Sequence, residues 1–415
     1  MNIQHTVIVV DNEIKTEALV QNLLAGKVQG LASIKAQKVV EFSSSRIDWF
    51  IEEEERHDRK YLTQTNSQPL KSMSSGERKK ALLEYLFKKN PQILLLVNPF
   101  DSLDIETQSA LKAQLQELSE SITMVHITNR VFDTMPFTTQ FYRYKDKHLI
   151  PFQNLVDLKT SLALNNEEAT NHLVPLPLKP VNVPLEDLIV FKRVSVKFDK
   201  RTVLSEIDWT IKKGEFWQLI GPNGSGKSTL LNLITGDSHK GYGQNLTLFG
   251  TKKGSGESVW DLKENIGYFS PAMVDRFKGY HTLENMLISG LHDSVGLYIK
   301  PSETEKQKAL EWLNFLGLIE KKNRYFHELS IGAKRLVMTA RALIKHPPLL
   351  ILDEPTVGLD DSSTLFFVNM INAYATKSQS AIIYVSHREE PHLKPEKTFE
   401  LRTTNKGSRG FVNSI

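Results

Sequence analysis

Between a short apolar run, Phe216-Trp217-Gln218-Leu219-Ile220, and an amphipathic stretch from Leu230 to Thr235 that stops at Gly236 lies the segment Gly221-Pro222-Asn223-Gly224-Ser225-Gly226-Lys227-Ser228-Thr229. Strand, glycine-rich loop and helix in that order constrain this chain more than any other feature. Gly221, Gly224 and Gly226 let the backbone curl tightly enough to aim successive N–H groups at phosphate oxygens, and a helix beginning near Lys227 adds its positive end. Lys227 can reach the β- and γ-phosphates of a nucleotide, and Ser228 places a hydroxyl where a bridging Mg²⁺ would sit. Gly221 to Thr229 are therefore the candidate nucleotide-binding residues. They occur once, in a chain that repeats itself.

Downstream, Leu349-Leu350-Ile351-Leu352-Asp353-Glu354-Pro355 reads as a buried strand that stops on two carboxylates. Two acids at the end of an apolar strand are costly unless they are used. Asp353 is suited to hold Mg²⁺ through water, and Glu354, one residue on, to polarise the water that attacks the γ-phosphate. A further apolar strand, Ala381 to Ser386, ends on His387. A strand-end histidine taken alone is more often a surface residue; after a third buried strand it is placed to contact the γ-phosphate and organise the attacking water. The candidate catalytic residues are Lys227, Glu354 and His387, the candidate metal ligands Ser228 and Asp353, and the expected cofactors ATP and Mg²⁺.

Composition narrows the class. The chain has 415 residues, enough for two or three domains, with 24% charged and 40% hydrophobic residues, an ordinary globular balance. No apolar run approaches the ~18 residues needed to span a membrane, and no secretory signal precedes the first strand. A transport role would need a separate membrane subunit. The absence of cysteine excludes a disulfide framework, a thiolate metal site and a cysteine nucleophile. With 52 basic and 48 acidic residues the net charge is +4, which makes no case for a dominant nucleic-acid surface. The acidic run Glu52 to Glu55 and the basic tail Arg402, Lys406 and Arg409 read as solvated faces.

In order and spacing, the phosphate loop, Leu329-Ser330-Ile331-Gly332-Ala333-Lys334-Arg335, the Asp353-Glu354 pair, Gly358-Leu359-Asp360 and His387 resemble the ATP-binding cassette (ABC) ATPases. The resemblance implies that Leu329 to Arg335 is the cassette signature, whose Ser330 and Gly332 would bind the γ-phosphate of ATP held by an opposite half. Ile331 stands where the family usually has glycine and Ala333 where it usually has glutamine, departures that weaken this signature. Phe198, about twenty residues before the loop, occupies the region where cassettes carry an adenine-stacking aromatic; it also alternates with Val194 and Val196, as a core strand residue would.

Across residues 188 to 390, Leu246-Thr247-Leu248-Phe249-Gly250, Gly254-Ser255-Gly256-Glu257, Trp260-Asp261, Ile266-Gly267-Tyr268 and Ile288-Ser289-Gly290 resemble the soluble twin-cassette ATPases of the ModF (PhrA) family, linked by name to molybdate transport and photorepair. The likeness extends more weakly over the first half from its signature onward. Most cassettes place, after the position of Tyr268, a glutamine that senses Mg²⁺ and couples to a membrane partner. Ser270 and Pro271 follow here, which speaks against orthodox coupling to a transmembrane subunit. A helical subdomain is expected between His281 and His327, where Leu310, Leu313 and Leu316 have helical apolar spacing.

The first half repeats the second in eroded form. Met73-Ser74-Ser75-Gly76-Glu77-Arg78 parallels Leu329 to Lys334 at an offset of 256 residues, and at that offset Leu94 to Pro99 matches Leu350 to Pro355 and Ser102-Leu103-Asp104 matches Gly358-Leu359-Asp360. Val97 then stands at the Mg²⁺ carboxylate position, Asn98 at that of the general base, and Asn129 at that of the histidine. Thr6 to Val10 matches Phe216 to Ile220 at an offset of 210, so that Asp11, Thr16, Glu17 and Ala18 replace Gly221, Gly226, Lys227 and Ser228. An acidic side chain in place of the phosphate lysine repels nucleotide, and the first half also lacks the antiparallel sheet that usually receives adenine.

The expected fold class is α/β: a P-loop NTPase with two tandem ABC nucleotide-binding domains, each a mixed sheet with flanking helices, the second with a helical subdomain and the first truncated. The boundaries are 1–160 for the shortened, degenerate domain, 161–187 for a linker, exposed and semi-extended on the evidence of Asn165, Asn166, Pro175, Pro177, Pro180 and Pro184, and 188–415 for the complete domain. Cassette dimers stack head to tail, which implies one composite site per chain, Gly221 to Ser228 facing Ser74, Ser75 and Gly76. The rival arrangement is a homodimer that uses Ser330 and Gly332 in trans. The expected function is ATP binding and hydrolysis that opens and closes the two halves upon a macromolecular partner, in the cytoplasm. The alternatives are the ATP-binding subunit of an importer for molybdate or another anion, attached to a permease at the inner face of the membrane, and a nucleotide-dependent binding module with little turnover.

Overall fold

The computed structural model describes residues 3–28, 31, 37–63, 68–163, 174–178, 184–199, 201–277, 279–387 and 390–414. They fall into two units, Met1–Glu167 with Gly358–Thr364, and Glu168–Val357 with Leu365–Ile415.

In the first unit the sequence Thr-Val-Ile-Val-Val forms β1 (Thr6–Val10), every residue of it buried, because β-branched side chains suit a strand covered on both faces. There follow α1 (Thr16–Leu24), β2 (Val39–Phe42), α2 (Ser44–His57), α3 (Ser75–Phe87), β3 (Ile93–Val97), α4 (Ile105–Leu118), β4 (Thr123–Thr128), β5 (Gln140–Lys145), β6 (His148–Phe152) and α5 (Leu155–Ala163). The strands form one sheet in the order β2-β3-β4-β1-β5-β6, parallel except for the β5–β6 hairpin. That hairpin turns through Asp146 and Lys147, at φ of 50° and 66°, the positive values that a two-residue primed turn requires.

The second unit begins with β7 (Asp187–Phe198) and β8 (Arg201–Lys212), then β9 (Phe216–Ile220), α6 (Lys227–Ile234), β10 (Leu246–Leu248), β11 (Thr251–Lys252), α7 (Val259–Glu264) and β12 (Ile266–Phe269). It continues through α8 (Leu283–Leu291), α9 (Glu303–Phe315), α10 (Ile331–Leu343), β13 (Leu349–Asp353), α11 (Asp361–Lys377), β14 (Ala381–Val385), β15 (Lys397–Arg402) and β16 (Arg409–Ser414). Its main sheet has the order β12-β13-β14-β9-β15-β16, the first unit's order strand for strand. β1 and β9 are offset by 210 residues, β3 and β13 by 256, and β4 and β14 by 258. A second, antiparallel sheet, β11-β10-β7-β8, has no counterpart among the described residues of the first unit. Where the second unit places α8 and α9 between β12 and α10, the first has α2 alone between β2 and α3.

Period-two alternation sorts the second core into two layers. Leu350, Leu352, Ile382 and Tyr384 face the side covered by α8 to α11. Leu349, Ile351, Ile383, Val385, Trp217 and Leu219 face α6 and the antiparallel sheet. Both faces of the central strands are thus dry, and only their ends are free to carry chemistry. Among the described residues no helix is long and apolar enough to cross a membrane.

Two expectations are corrected. Residues 161–163 close α5, and Val174 to Leu178 is exposed only in part: Leu176 and Leu178 are exposed, whereas Val174 packs on the second core, Pro175 is buried, and its carbonyl lies 2.9 Å from His346 Nε2. A proline carbonyl can still accept, and that bond draws the segment inward. Pro184 is exposed, while Asn165, Asn166 and Pro180 lie outside the described residues. The second correction concerns Phe198. Val194 and Val196 are buried but Phe198 is 43% exposed, because the ladder to β8 shifts register between Val196 and Lys197. The core reading of Phe198 therefore falls, and Lys240 Nζ lies over its ring at 5.6 Å.

Burial pushes the His126 imidazole down to about 4, with Asp133 opposing and Lys112 adding to the shift, and neither ring nitrogen has a partner among the described residues. A histidine with a lowered folded pKa binds its proton chiefly when unfolded, so its contribution is intact above about pH 6.5 and is lost as the pH falls towards 4. Asp361, pushed up to about 6 by burial, works with the opposite sign over its own window, below pH 6. Replacing His126 isolates its share. By urea denaturation at about pH 7 and pH 5, His126→Leu should lose less stability on acidification than the wild type, by on the order of 2 kcal/mol.

Candidate functional site

β9 delivers the chain to the glycine-rich loop, where close contacts add to the positive φ at Gly221 and Gly226, while at Gly224 the φ of 76° alone favours glycine. A Cβ on Gly221 (φ 151°) would stand 2.7 Å from the Leu401 carbonyl oxygen and 2.8 Å from Ser225 Oγ; one on Gly226 (φ 97°) would stand 2.7 Å from Leu204 Cδ2. Gly226 is also the N-cap of α6, so Lys227, Ser228 and Thr229 form that helix's first turn. Lys227 is buried, and its ammonium donates to the Gly221 and Pro222 carbonyls at 2.6 and 3.0 Å. The Ser225 hydroxyl is fully buried with no partner among the described residues. Pro222 and Asn223 are half-buried, and Gly224 and Ser228 are exposed.

Register places the other groups beside this loop. Asp353 on β13 pairs with Val385 on β14, and Val385 pairs with Leu219 on β9, so the three strands end at one level. Glu354, His387 and Gly221 lie just beyond. Glu354 holds a left-handed conformation (φ 51°) while its N–H donates to the Val385 carbonyl at 3.0 Å. His387 Nε2 makes an ion-pair contact with Glu354 Oε1, and its Nδ1 is buried without a partner among the described residues. Burial, and after it the charge of Glu354, pushes the Asp353 carboxyl above the usual carboxylate range. Two adjacent carboxylates, one of them raised by burial and by its neighbour's charge, suit a divalent cation. Among the described residues no three acidic, histidine or cysteine side chains converge as a cage.

One contact had not been expected. The Tyr268 hydroxyl donates to Asp353 Oδ2 at 3.3 Å, and Ser270 hydrogen-bonds the same phenol. Burial, and then the charge of Asp353, pushes the phenol up, so it remains a donor. Its one sequence signal is its place on β12, just before the position where Ser270 stands for glutamine.

The first unit keeps this frame and changes its chemistry. Asn98 follows β3 at φ 42°, and its N–H donates to the Ile127 carbonyl at 3.0 Å, the geometry of Glu354. Asn129 stands where His387 does; its N–H donates to Asn98 Oδ1 at 3.0 Å, and Asn98 Nδ2 donates to Asn129 Oδ1 at 3.4 Å. An amide pair stands where the second unit has a carboxylate–imidazole contact. At the loop position Asp11 pairs with Arg143 at 3.2 Å, and the Asn12 N–H donates to Asp360 Oδ2 at 2.8 Å, so protein carboxylates take up the positive groups of this end of the sheet.

The two signatures each cap a helix. Ser74 Oγ accepts from the Glu77 N–H at 3.3 Å, closing a capping box on α3; Ser75 Oγ donates to the Ser102 carbonyl at 2.7 Å; and a Cβ on Gly76 would meet Thr107 Cγ2 at 2.8 Å. In the second unit Ser330 Oγ accepts from the Ala333 N–H at 3.4 Å, Gly332 is buried, and Ile331 is 56% exposed.

The other glycine-rich turn, Gly254 to Gly256, aims its N–H groups at a carboxylate of its own segment. Its N–H groups at Gly254 and Ser255 donate to the Glu257 carboxylate at 2.9 and 3.0 Å, and buried Lys253 pairs with that carboxylate at 2.9 Å. Burial opposes the charge, but the Gly254 N–H and the Lys253 ammonium outweigh it and hold the carboxyl at about 2.

A family profile described as ABC transporter matches residues 204–357. The chain is 36% identical over 331 residues to the ABC transporter ATP-binding protein ModF of Escherichia coli K12, covering 77% of this chain and 67% of that one. It is 32% identical over 329 residues to an uncharacterised ABC transporter ATP-binding protein of Schizosaccharomyces pombe, covering 77% and 66%. The chain thus spans about two thirds of the length of each. Its fold is similar to that of an archaeal ribosome recycling factor, aABCE1, solved with the ribosomal stalk protein aP1, with a TM-score of 0.64 at 17% identity over 99% of this chain and 86% of that one.

Because Glu257 serves the fold, Glu257→Gln should leave ATP affinity unchanged while removing about 3 kcal/mol of stability, the cost of stranding a buried ammonium. Denaturant titration and nucleotide binding, measured on the same preparation, check both halves of that expectation.

Proposed function

The chain belongs to the ATP-binding cassette ATPases, and on that footing we propose that it binds and hydrolyses ATP at one composite site, built from Gly221 to Thr229, Asp353, Glu354 and His387 together with the signature Ser74, Ser75 and Gly76. What carries the reading is the contrast between two equal frames. One ends in Lys227, Asp353, Glu354 and His387; the other ends in Glu17, Val97, Asn98 and Asn129. Only the first can neutralise a triphosphate and activate water.

In this reading the Lys227 ammonium exchanges the Gly221 and Pro222 carbonyls for phosphate oxygens, and the N–H groups opening α6 add their donors. Ser228 and Asp353 hold Mg²⁺, which neutralises phosphate charge. Glu354 orients water for in-line attack on the γ-phosphorus as the bond to the β-phosphate oxygen breaks, and His387 holds Glu354 in place. Phe198, exposed at the end of β7, is the candidate for stacking on adenine. Gripping the γ-phosphate from two sides would favour a closed form; moving from 1:99 to 99:1 needs roughly 10⁴-fold tighter binding to that form. Opening and closing upon a macromolecular partner is the output.

The relatives' transporter names favour a second reading, the ATP-binding subunit of an importer for molybdate or another anion. Ser270 weighs against it. Retention of the chain by a multi-span permease in solubilised membranes is the result that would carry it.

Glu354→Gln should reduce phosphate release at least a hundredfold with ATP affinity retained; equal release in variant and wild type would leave only a binding module. Ser74→Ala is a milder probe of the signature than any Gly76 variant, whose Cβ meets Thr107, and as a lost N-cap it costs only about 1 kcal/mol. Ser74→Ala should lower turnover, and Ser330→Ala should not. The reverse pattern would place the site in a homodimer using Ser330 and Gly332.

A further inference from the structure

In the second unit two side-chain contacts among the described residues tie together the segments that follow β13 and β14. One tie is the contact between the Glu354 carboxylate and His387 Nε2. The other lies two residues further along the first segment and three along the second. There the Thr356 hydroxyl donates to Glu390 Oε1 at 2.5 Å and lies 3.2 Å from the Tyr384 hydroxyl. All three side chains are buried, at 2%, 7% and 0% exposure. A carboxylate held that deep needs polar partners to offset its desolvation, and Thr356 supplies one from the loop that carries Glu354.

The repeat provides an internal control. The offsets of 256 and 258 residues put Phe100, His126 and Phe132 of the first unit at the positions of Thr356, Tyr384 and Glu390. Phe100 meets His126 edge-on at 6.0 Å, both nitrogens of His126 lack partners among the described residues, and Phe132 is 70% exposed. The unit that keeps the carboxylate and the histidine keeps the polar tie. The unit that replaces them with Asn98 and Asn129 has an aromatic contact, Phe100 on His126, at the positions of Thr356 and Tyr384, and its following segment forms a 3-10 turn, Val131–Asp133, with Asp133 buried. The sheet of the same strand order therefore forms without a threonine–glutamate pair at these positions.

We propose that Thr356 and Glu390 are positioning residues, which fix the separation of the two segments and so hold Glu354 and His387 in the geometry that activates water. The proposal rests on the reading of Glu354 as the residue that orients the attacking water. Because His387 Nδ1 has no partner among the described residues, no hydrogen bond at that nitrogen fixes the ring, and its aim depends on where its segment is held. A displacement of about 1 Å at such a site costs of order a hundredfold in rate.

The test is steady-state ATP turnover and equilibrium ATP binding by the full chain. Thr356→Val and Glu390→Met, which delete donor and acceptor at similar size, should each lower kcat about tenfold or more with KM and ATP affinity unchanged, and the double variant should fall no further. Thr356→Ser and Glu390→Gln, which keep a donor and an acceptor, should recover most of the rate. Wild-type kcat in either deleting variant overturns the tie, as does a kcat loss matched by weakened ATP binding or an absence of rescue by Thr356→Ser. If Thr356→Val does not fold, the Glu390→Met and Glu390→Gln pair decides alone. Glu354→Gln separates the two levels: full turnover in that variant overturns the reading of Glu354 itself, whereas its loss beside a fully active Thr356→Val overturns only the tie.

Discussion

The site depends on three parallel strands ending at one level. Hydrogen bonding pairs Asp353 with Val385 and Val385 with Leu219, and adjacent strands lie about 4.8 Å apart, so the backbones leading into Glu354, His387 and Gly221 fan out over about 10 Å. A slip of one residue would turn every side chain of a strand to the opposite face. Here both faces are packed, by Leu350, Leu352 and Ile382 on one side and Ile351, Ile383 and Leu219 on the other, so each strand's register is enforced twice. Polar groups have no place along these strands, and the chemistry collects at their ends.

The same frame stands in both units, which separates what the fold requires from what the chemistry requires. The left-handed turn after the third sheet strand occurs at Asn98 as well as at Glu354. That turn costs a non-glycine residue on the order of 1 kcal/mol, and it persists where no carboxylate remains to use it. It is therefore part of the fold, whichever side chain stands there. In the eroded unit amides and internal ion pairs satisfy the groups that would otherwise meet a nucleotide: Asn129 on Asn98, Arg143 on Asp11.

The neighbourhood of Asp353 shows how a departure from the family pattern can be internally consistent. With Ser270 in place of glutamine, the donor that reaches Asp353 is the Tyr268 phenol, itself bonded by Ser270. The carboxylate keeps a hydrogen-bond partner while that partner comes from within β12 rather than from the loop beyond it.

Much of this was legible in the chain. The strand-loop-helix unit, the strand ending on Asp353 and Glu354, the repeat at offsets of 210 and 256 and the truncation of the first half all depend on local patterns, in which apolar periodicity, glycine and proline act over a few residues. Local pattern misled where tertiary contact outweighed it. The alternation through Val194 and Val196 assigned Phe198 equally to the core, and a register shift against β8 turned it outward. Proline content made residues 174–178 an exposed linker, and one bond from His346 buried Pro175. The glycine turn at Gly254 carried no mark of being filled by its own Glu257. By itself the sequence determined which residue types stand at the ends of which strands. Only the tertiary structure decided which of them meet, because Tyr268 and Asp353 are 85 residues apart and Thr356 and Glu390 are 34 apart, and hydrogen bonds across such separations exist only once the sheet has set its register.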